Sequence, residues 1–335
     1  MSGREPFEIA GMTVPAGRRK DIHLKITELC TATPVFIPVT VVHGAEPGPA
    51  MFLTAAIHGD EINGMEVVRR IRGDVDPKRL RGTLLLVSVA NPISFIAQTR
   101  ELPDGRDLNR VFPGRREGSM ASHIASHIFT KVVKRADWGI DLHTAARGRV
   151  NLPHVRADMR VPGVRRLAHA FGAEIILDLE GDRGTLRAAA TRAGIPSVVF
   201  EAGEPLKFQP ALVEKGVEGV RNAIAELGMY PFERVSPLFQ IVVDDHRWIR
   251  AERGGIMVLN VRPGDIIEKG EEIGLNTKPF GTEVNRLKAP YTGLVVGCMT
   301  LPMVLPGSAV CHLVKLDRRA AALRKLLRRR RPAFE

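Results

Sequence analysis

Apolar residues in this chain gather in short runs of strand length, each closed by polar or turn-forming residues, with helical periodicity between them. FIPVTVVH at 36–43 reads as a strand, and HGAEPGPA at 43–50 has the Gly/Pro density of a loop. In MFLTAAIHGDEINGMEVVRRIRGD, residues 51–74, an apolar run meets a polar turn and then a helical pattern through Met65, Val68 and Ile71. TLLLVSVANP at 83–92, WGIDLHTA at 138–145 and PSVVFEAGE at 196–204 repeat the buried strand with a polar end, and 119–135 and 162–171 are helical stretches. Continuous apolar strands alternating with helices predict an α/β fold, a mixed sheet flanked by helices with ligand sites at strand ends.

After about residue 234 the texture changes to short strands between Gly/Pro turns: GGIMVLNVRPGD, IIEKGEEIG, APYTGLVVG and VLPGSAVCHLV. This predicts a small C-terminal all-β barrel domain over 235–317, behind a catalytic domain over 1–234, with the boundary in YPFERVSP. Residues 318–335 form a basic tail in which Leu323, Leu326 and Leu327 lie at helical spacing among Arg and Lys, the pattern of an amphipathic helix.

Composition narrows the class. Of 335 residues, 44% are hydrophobic and 26% charged, enough apolar side chains for a proper core. The net charge is +12, but residues 315–335 hold nine Lys/Arg against Asp317 and Glu335, or +7, which leaves +5 for the body. The basic balance therefore describes a tail, and nucleic acid is not an expected partner. No segment has the apolar length of a signal peptide or a membrane span, and Cys30, Cys298 and Cys311 are odd in number and scattered, so a cytoplasmic setting is expected. Any metal must then be held by His and carboxylates.

Three strand ends carry suitable groups. His58 and Glu61 stand three apart in HGDE, where a tight turn can aim both at one point, and His143 ends the strand IDLHT. Three protein ligands with one open position are what a zinc hydrolase requires. Asp141 is either an acceptor that orients a ligand imidazole or an acidic strand-end residue bonded to backbone. Glu201, closing SVVFE, is a general-base candidate. His123, His127, His154 and His169 fall in helical or loop contexts without a partner pattern and read as ordinary. TRELPDGRDLNRVFPG supplies Arg100, Arg106, Asn109 and Arg110, a dense set of donors for an anionic substrate.

HGDE, DLNRVFPG, DLHT and FEAGE, in this order, resemble the succinylglutamate desuccinylase and aspartoacylase family, a branch of the zinc carboxypeptidase clan, over roughly residues 35–230. The resemblance implies a carboxypeptidase-like fold in which His58, Glu61 and His143 bind zinc, Glu201 is the catalytic base, and Asn109 and Arg110 grip a substrate carboxylate. It also implies an arginine that polarises the scissile carbonyl; Arg100 matches best, and Arg106 stands close enough to remain a second candidate. The C-terminal module resembles biotinyl and lipoyl carrier barrels, yet FGTEV around Thr282, where a carrier would need a lysine, holds none, which favours a structural or site-covering role. Related enzymes bring a C-terminal tyrosine to the substrate, which makes Tyr291 a candidate.

The resulting expectation is a zinc amidohydrolase that cleaves a small anionic N-acylated amino acid, with homo-oligomerisation left open. One rival is a zinc metallocarboxypeptidase with the same ligands, acting on a peptide. Another is a nonenzymatic metal-binding protein that recruits a partner through its tail and barrel.

Overall fold

A computed structural model describes residues 4–316, so the basic tail lies outside the described residues. Thirteen strands join in one mixed sheet. Its main path runs Arg18–Glu28, Pro34–His43, Arg81–Val87, Glu46–Ala55, Trp138–His143, Ser197–Gly203, Arg149–Ala157, Gly293–Met299, Ala309–Lys315 and His246–Arg250. Arg81–Val87, Glu46–Ala55, Trp138–His143 and Ser197–Gly203 are parallel neighbours, so their carboxyl ends share one edge.

The unbroken apolar runs follow from burial on both faces. Met51, Leu53 and Ala55 point into one core with Val67, Val68 and Ile71 of the Asn63–Asp74 helix, and with Phe171 and Leu212. Phe52 points the opposite way, into a second core with Leu85, Ile124, Ile128 and Leu186. Helices Asn63–Asp74, Pro162–Phe171 and Pro210–Glu226 thus cover one face, and Met120–Lys131 and Leu186–Arg192 the other. Period-2 alternation separates two apolar sets here, where in a half-exposed strand it would separate apolar from polar.

Two segments differ from the sequence expectation. The Gly/Pro-rich stretch after His43 is mostly strand: Glu46 pairs with Arg81, an irregularity absorbs Pro47 to Pro49, and pairing resumes at Ala50 with Thr83. Proline in a sheet is tolerated at such bulges. The Arg149–Ala157 strand, RVNLPHVRA, has no clean alternation because it buries Asn151 and His154 and sets a half-buried Arg156 among them; His154 thus sits in a strand rather than a loop or helix.

The short strands after 240 form as their turns predict, and a four-stranded sheet (Glu283–Lys288, Glu272–Thr277, Gly255–Leu259, Met303–Val304) closes over a core of Met257, Ile273, Val295 and Leu313. They are also hydrogen-bonded into the main sheet, because Gly297, Cys298 and Met299 pair with Asn151, Val150 and Arg149. Strand pairing therefore crosses the 234/235 boundary drawn from sequence texture. No helix among the described residues is long and apolar enough to cross a membrane.

Candidate metal centre and active-site cavity

The turn after Glu46–Ala55 places two of the three candidate ligands. Glu61 N donates to His58 O at 3.1 Å, closing the HGDE turn before the helix begins at Asn63. Gly59 makes this possible, since a Cβ there would lie 2.0 Å from the Ser94 carbonyl carbon. His143 arrives from the adjacent Trp138–His143 strand.

The three side chains are buried and converge, one donor atom of each lying within 4.8 Å of the others. His58 Nδ1 is 2.7 Å from Glu61 Oε1 and His143 Nδ1 is 2.8 Å from Glu61 Oε2, while Thr144 N also donates to Oε2 at 3.0 Å. The opposite ring nitrogens meet carboxylates, His58 Nε2 with Asp107 Oδ1 at 2.9 Å and His143 Nε2 with Asp141 Oδ2 at 2.8 Å. Thr54 Oγ1 donates to Asp141 Oδ1 at 2.7 Å, fixing that carboxylate. Of the two sequence readings of Asp141, the geometry is that of an acceptor orienting an imidazole.

This donor set fits a divalent cation. Two Nδ1 atoms and a carboxylate face one point, and each ring is oriented from behind by an acidic side chain, the arrangement that raises ligand basicity in metal sites. Arg100 Nη1 already lies on the same donor atoms, 3.0 Å from Glu61 Oε1 and 3.2 Å from His58 Nδ1. The cluster thus draws positive charge to itself.

The electrostatics agree. Burial alone would lower the pKa of His143, but Asp141 and Glu61 outweigh it and hold it well above its ordinary value. His58 is raised as well, since Glu61 and Asp107 overcome its desolvation. Burial would raise Glu61 and Asp107, yet the imidazoles, joined for Asp107 by Arg100 and Arg110, hold both carboxyls below their usual range.

A cavity of ≈ 310 Å³ opens beside the cluster. Glu201, register partner of His143, lines it, with Oε2 accepting from Asn151 Nδ2 at 2.9 Å and Oε1 lying 3.3 Å from Arg156 Nη1. Asn109 and Arg110 also line it. Asn109 Oδ1 accepts from Leu186 N at 2.8 Å, and Gly184 lets the two loops meet, since a Cβ there would lie 2.0 Å from Arg110 O. Arg106 is not brought to the cavity: it is more than half exposed and paired with Asp104 Oδ2 at 3.0 Å. Tyr291 does not line it either, because its hydroxyl donates to Leu313 O at 2.9 Å and its ring packs in the C-terminal core.

Several lining residues were not singled out from sequence. Arg187 is buried, its Nη1 has no hydrogen-bond partner, and desolvation lowers its pKa to about 10. Arg149, Asn151 and Arg156 come from the strand that sequence did not reveal. The C-terminal strands contribute Trp248 where Tyr291 had been the candidate; its indole stacks on His312 at 4.8 Å, with the Arg149 guanidinium 5.0 Å from the ring centre. Five arginines (100, 110, 149, 156, 187) against Glu61, Asp182 and Glu201 give 5 − 3 = +2 around the cavity. A lone arginine beside apolar residues, as in TLRAAA, is the one sequence signal that would have found Arg187.

Residues 47–227 match the family described as the succinylglutamate desuccinylase/aspartoacylase catalytic domain, which is more than half of the chain. The chain belongs to this family. An N-alpha-acetyl-L-2,4-diaminobutyric acid deacetylase of Halomonas elongata is 30% identical over 253 residues, spanning 71% of this chain and 73% of its own length. A succinylglutamate desuccinylase of Pseudomonas aeruginosa is 28% identical over 157 residues, 44% of each chain. Both relatives are named as deacylases of amino acids. Among solved structures, a succinylglutamate desuccinylase/aspartoacylase from Rhodobacter sphaeroides superposes with TM-score 0.83 at 23% identity, covering 92% of this chain and 99% of that one. The product-bound ectoine utilization protein EutE (DoeB) from Ruegeria pomeroyi superposes with TM-score 0.84 at 22% identity, covering 93% and 100%. At such identities the superpositions speak for the fold, which is that of the desuccinylase/aspartoacylase family.

Proposed function

We propose that this chain is a zinc-dependent deacylase that hydrolyses the amide bond of a small, anionic N-acyl amino acid, releasing a carboxylic acid and a free amino acid. The observation that carries this reading is the opening of the His58, Glu61 and His143 donor set and the Glu201 carboxylate into one cavity lined by five arginines. The deacylase names of the relatives support the same reaction class.

Zinc bound by His58, Glu61 and His143 would supply Lewis acidity toward the scissile carbonyl and an attacking water. The Glu201 carboxylate, facing the same cavity, is placed to take a proton from a water there and to return it to the leaving amine. Arg100, fixed by Asp107, offers a guanidinium to the developing oxyanion. Arg187 and Arg110, both on the cavity wall, are suited to bind a substrate carboxylate, with Asn109 beside them.

The cavity volume and the Trp248 wall favour a small acyl amino acid over a peptide chain. The test is release of free amine from a panel of N-acetyl, N-succinyl and N-formyl amino acids, with blocked dipeptides alongside, by protein whose zinc content is measured. Turnover of acyl amino acids that disappears on chelation and returns with zinc is expected. Turnover confined to peptides would instead assign a carboxypeptidase.

A further inference from the structure

Glu201 is held by an ion pair to Arg156, which is in turn hydrogen-bonded to a histidine behind it in the sheet. Arg156 Nη1 lies 3.3 Å from Glu201 Oε1, and Arg156 Nε donates to His154 Nε2 at 3.2 Å. His154 Nδ1 meets Leu152 O at 2.7 Å. A backbone carbonyl can only accept, so Nδ1 carries the proton and Nε2 is left with the lone pair that Arg156 requires. His154 is fully buried, and burial beside Arg156 pushes its pKa down to about 3, consistent with a neutral ring.

The backbone is shaped for this arrangement. In the antiparallel pairing of Ser197–Gly203 with Arg149–Ala157, Val199 faces Arg156 and Glu201 faces His154. The register then shifts, so that Gly203 faces Asn151 instead of Leu152. One extra residue, in the segment that holds Pro153, turns Asn151 onto the side of the sheet occupied by His154 and Arg156. Glu201 is thereby gripped from both ends, by Asn151 Nδ2 on Oε2 and by Arg156 on Oε1.

We infer that His154, acting through Arg156, is a positioning residue for the Glu201 carboxylate: an imidazole fixed as donor at Nδ1 and acceptor at Nε2 locks the guanidinium that aims the base. His154 touches neither the cavity nor the metal cluster; it is absent from the cavity lining, and its ring is bonded to Leu152 and Arg156. Bridging those two groups takes a side chain that donates on one side and accepts on the other, as the neutral imidazole does. The inference rests on the deacylase reading, in which Glu201 is the base.

The test compares His154→Met with His154→Gln in the full, zinc-loaded chain, on the N-acyl amino acid that the unaltered protein hydrolyses best. Methionine removes the acceptor, whereas a glutamine Oε1 can still accept from Arg156 Nε. His154→Met should lower kcat roughly ten- to a hundredfold, a part of the roughly 10²–10⁴ that a placed general base contributes. KM should stay within about twofold, since the ground-state contacts are untouched. Zinc content should not change, and His154→Gln should recover most of the loss.

If His154→Met does not fold, Arg156→Lys serves in its place. An ammonium keeps the charge but cannot reach both partners as a fork does, so kcat should again fall with KM nearly constant. A KM rise at constant kcat in Arg156→Lys would make Arg156 a substrate anchor and overturn the inference, as would wild-type kcat in His154→Met. Nitrogen NMR of the histidine rings provides a readout independent of turnover, and a His154 ring protonated at Nε2 alone would equally overturn it. Failure of the unaltered protein to release amine from any acyl amino acid overturns the deacylase reading and this inference with it. An active protein with an unaffected methionine variant overturns the inference alone.

Discussion

Asp107 Oδ1 lies 2.9 Å from His58 Nε2, on the opposite side of the ring from Glu61, and its Oδ2 accepts from Arg100 Nη2 at 2.9 Å. One carboxylate therefore orients both a candidate ligand and the candidate oxyanion donor. The same side chain also caps its own loop, Oδ1 accepting from Asn109 N at 2.8 Å.

Asp107→Asn should weaken metal binding and turnover together. An asparagine offers one acceptor oxygen to two donors, His58 Nε2–H and Arg100, and turns an NH2 group toward the other. Loss of such an outer carboxylate typically lowers metal affinity by about 10–100-fold. Metal retained after dialysis against graded chelator, measured with kcat/KM, checks this; unaltered metal retention would separate Asp107 from the site.

The metal-free cluster has a pH signature opposite to that of the loaded one. His58 and His143 have raised pKa values in the fold, so each stabilises it fully below the unfolded value of 6.5, and that stabilisation is lost as pH rises through the folded values. A cation needs Nδ1 of both rings deprotonated and so binds more tightly as pH rises. Between about pH 6 and pH 9 the Tm of chelated protein should fall, while the increment in Tm on adding zinc should grow. An increment independent of pH would exclude the histidines as ligands.

How much of this was legible in the sequence depended on where the signal lay. Met51 to Leu53 and Val198 to Phe200 are unbroken apolar runs, so their strands and the polar ends that carry His58 and Glu201 stand out. The Arg149–Ala157 strand does not, because Asn151, His154 and Arg156 face inward and Pro153 sits at a bulge, which removes both the apolar run and the alternation. The part of the cavity wall built on that strand, Arg149, Asn151 and Arg156, is therefore invisible in the sequence. Trp248 and Tyr291 show the same limit: one lies in the short His246–Arg250 strand and the other in the bend before Gly293–Met299, and only three-dimensional packing sends the indole to the cavity and the phenol to Leu313.

Arg187 lines the cavity with an unpaired Nη1, and burying such a group without a partner destabilises the fold. Arg187→Met should make the protein more stable by about 1–3 kcal/mol, by removing a desolvated, unsatisfied donor while keeping the packing volume. It should also raise KM for an anionic acyl amino acid by at least about tenfold, the loss of one charge-assisted contact of about 1.5–3 kcal/mol. Thermal unfolding and steady-state kinetics on one preparation check both. A variant less stable than the parent would mean that the guanidinium is structural.

Glu201→Gln isolates proton transfer from architecture. Asn151 Nδ2 now donates to Glu201 and Asn151 Oδ1 has no partner, so the Asn151 amide can turn over to accept from a glutamine Nε2 at 201 while the glutamine Oε1 remains available to Arg156. The fold should therefore tolerate the change with little loss of stability, and the zinc content should stay at the parental level because none of the three donor residues is altered. Turnover should fall by about 10²–10⁴, since the amide cannot take a proton from water. KM should stay near the parental value, because the arginines that would bind a carboxylate are untouched. Parental kcat in a variant of confirmed sequence would transfer the base role to another group; a large rise in KM at constant kcat would make Glu201 a binding residue.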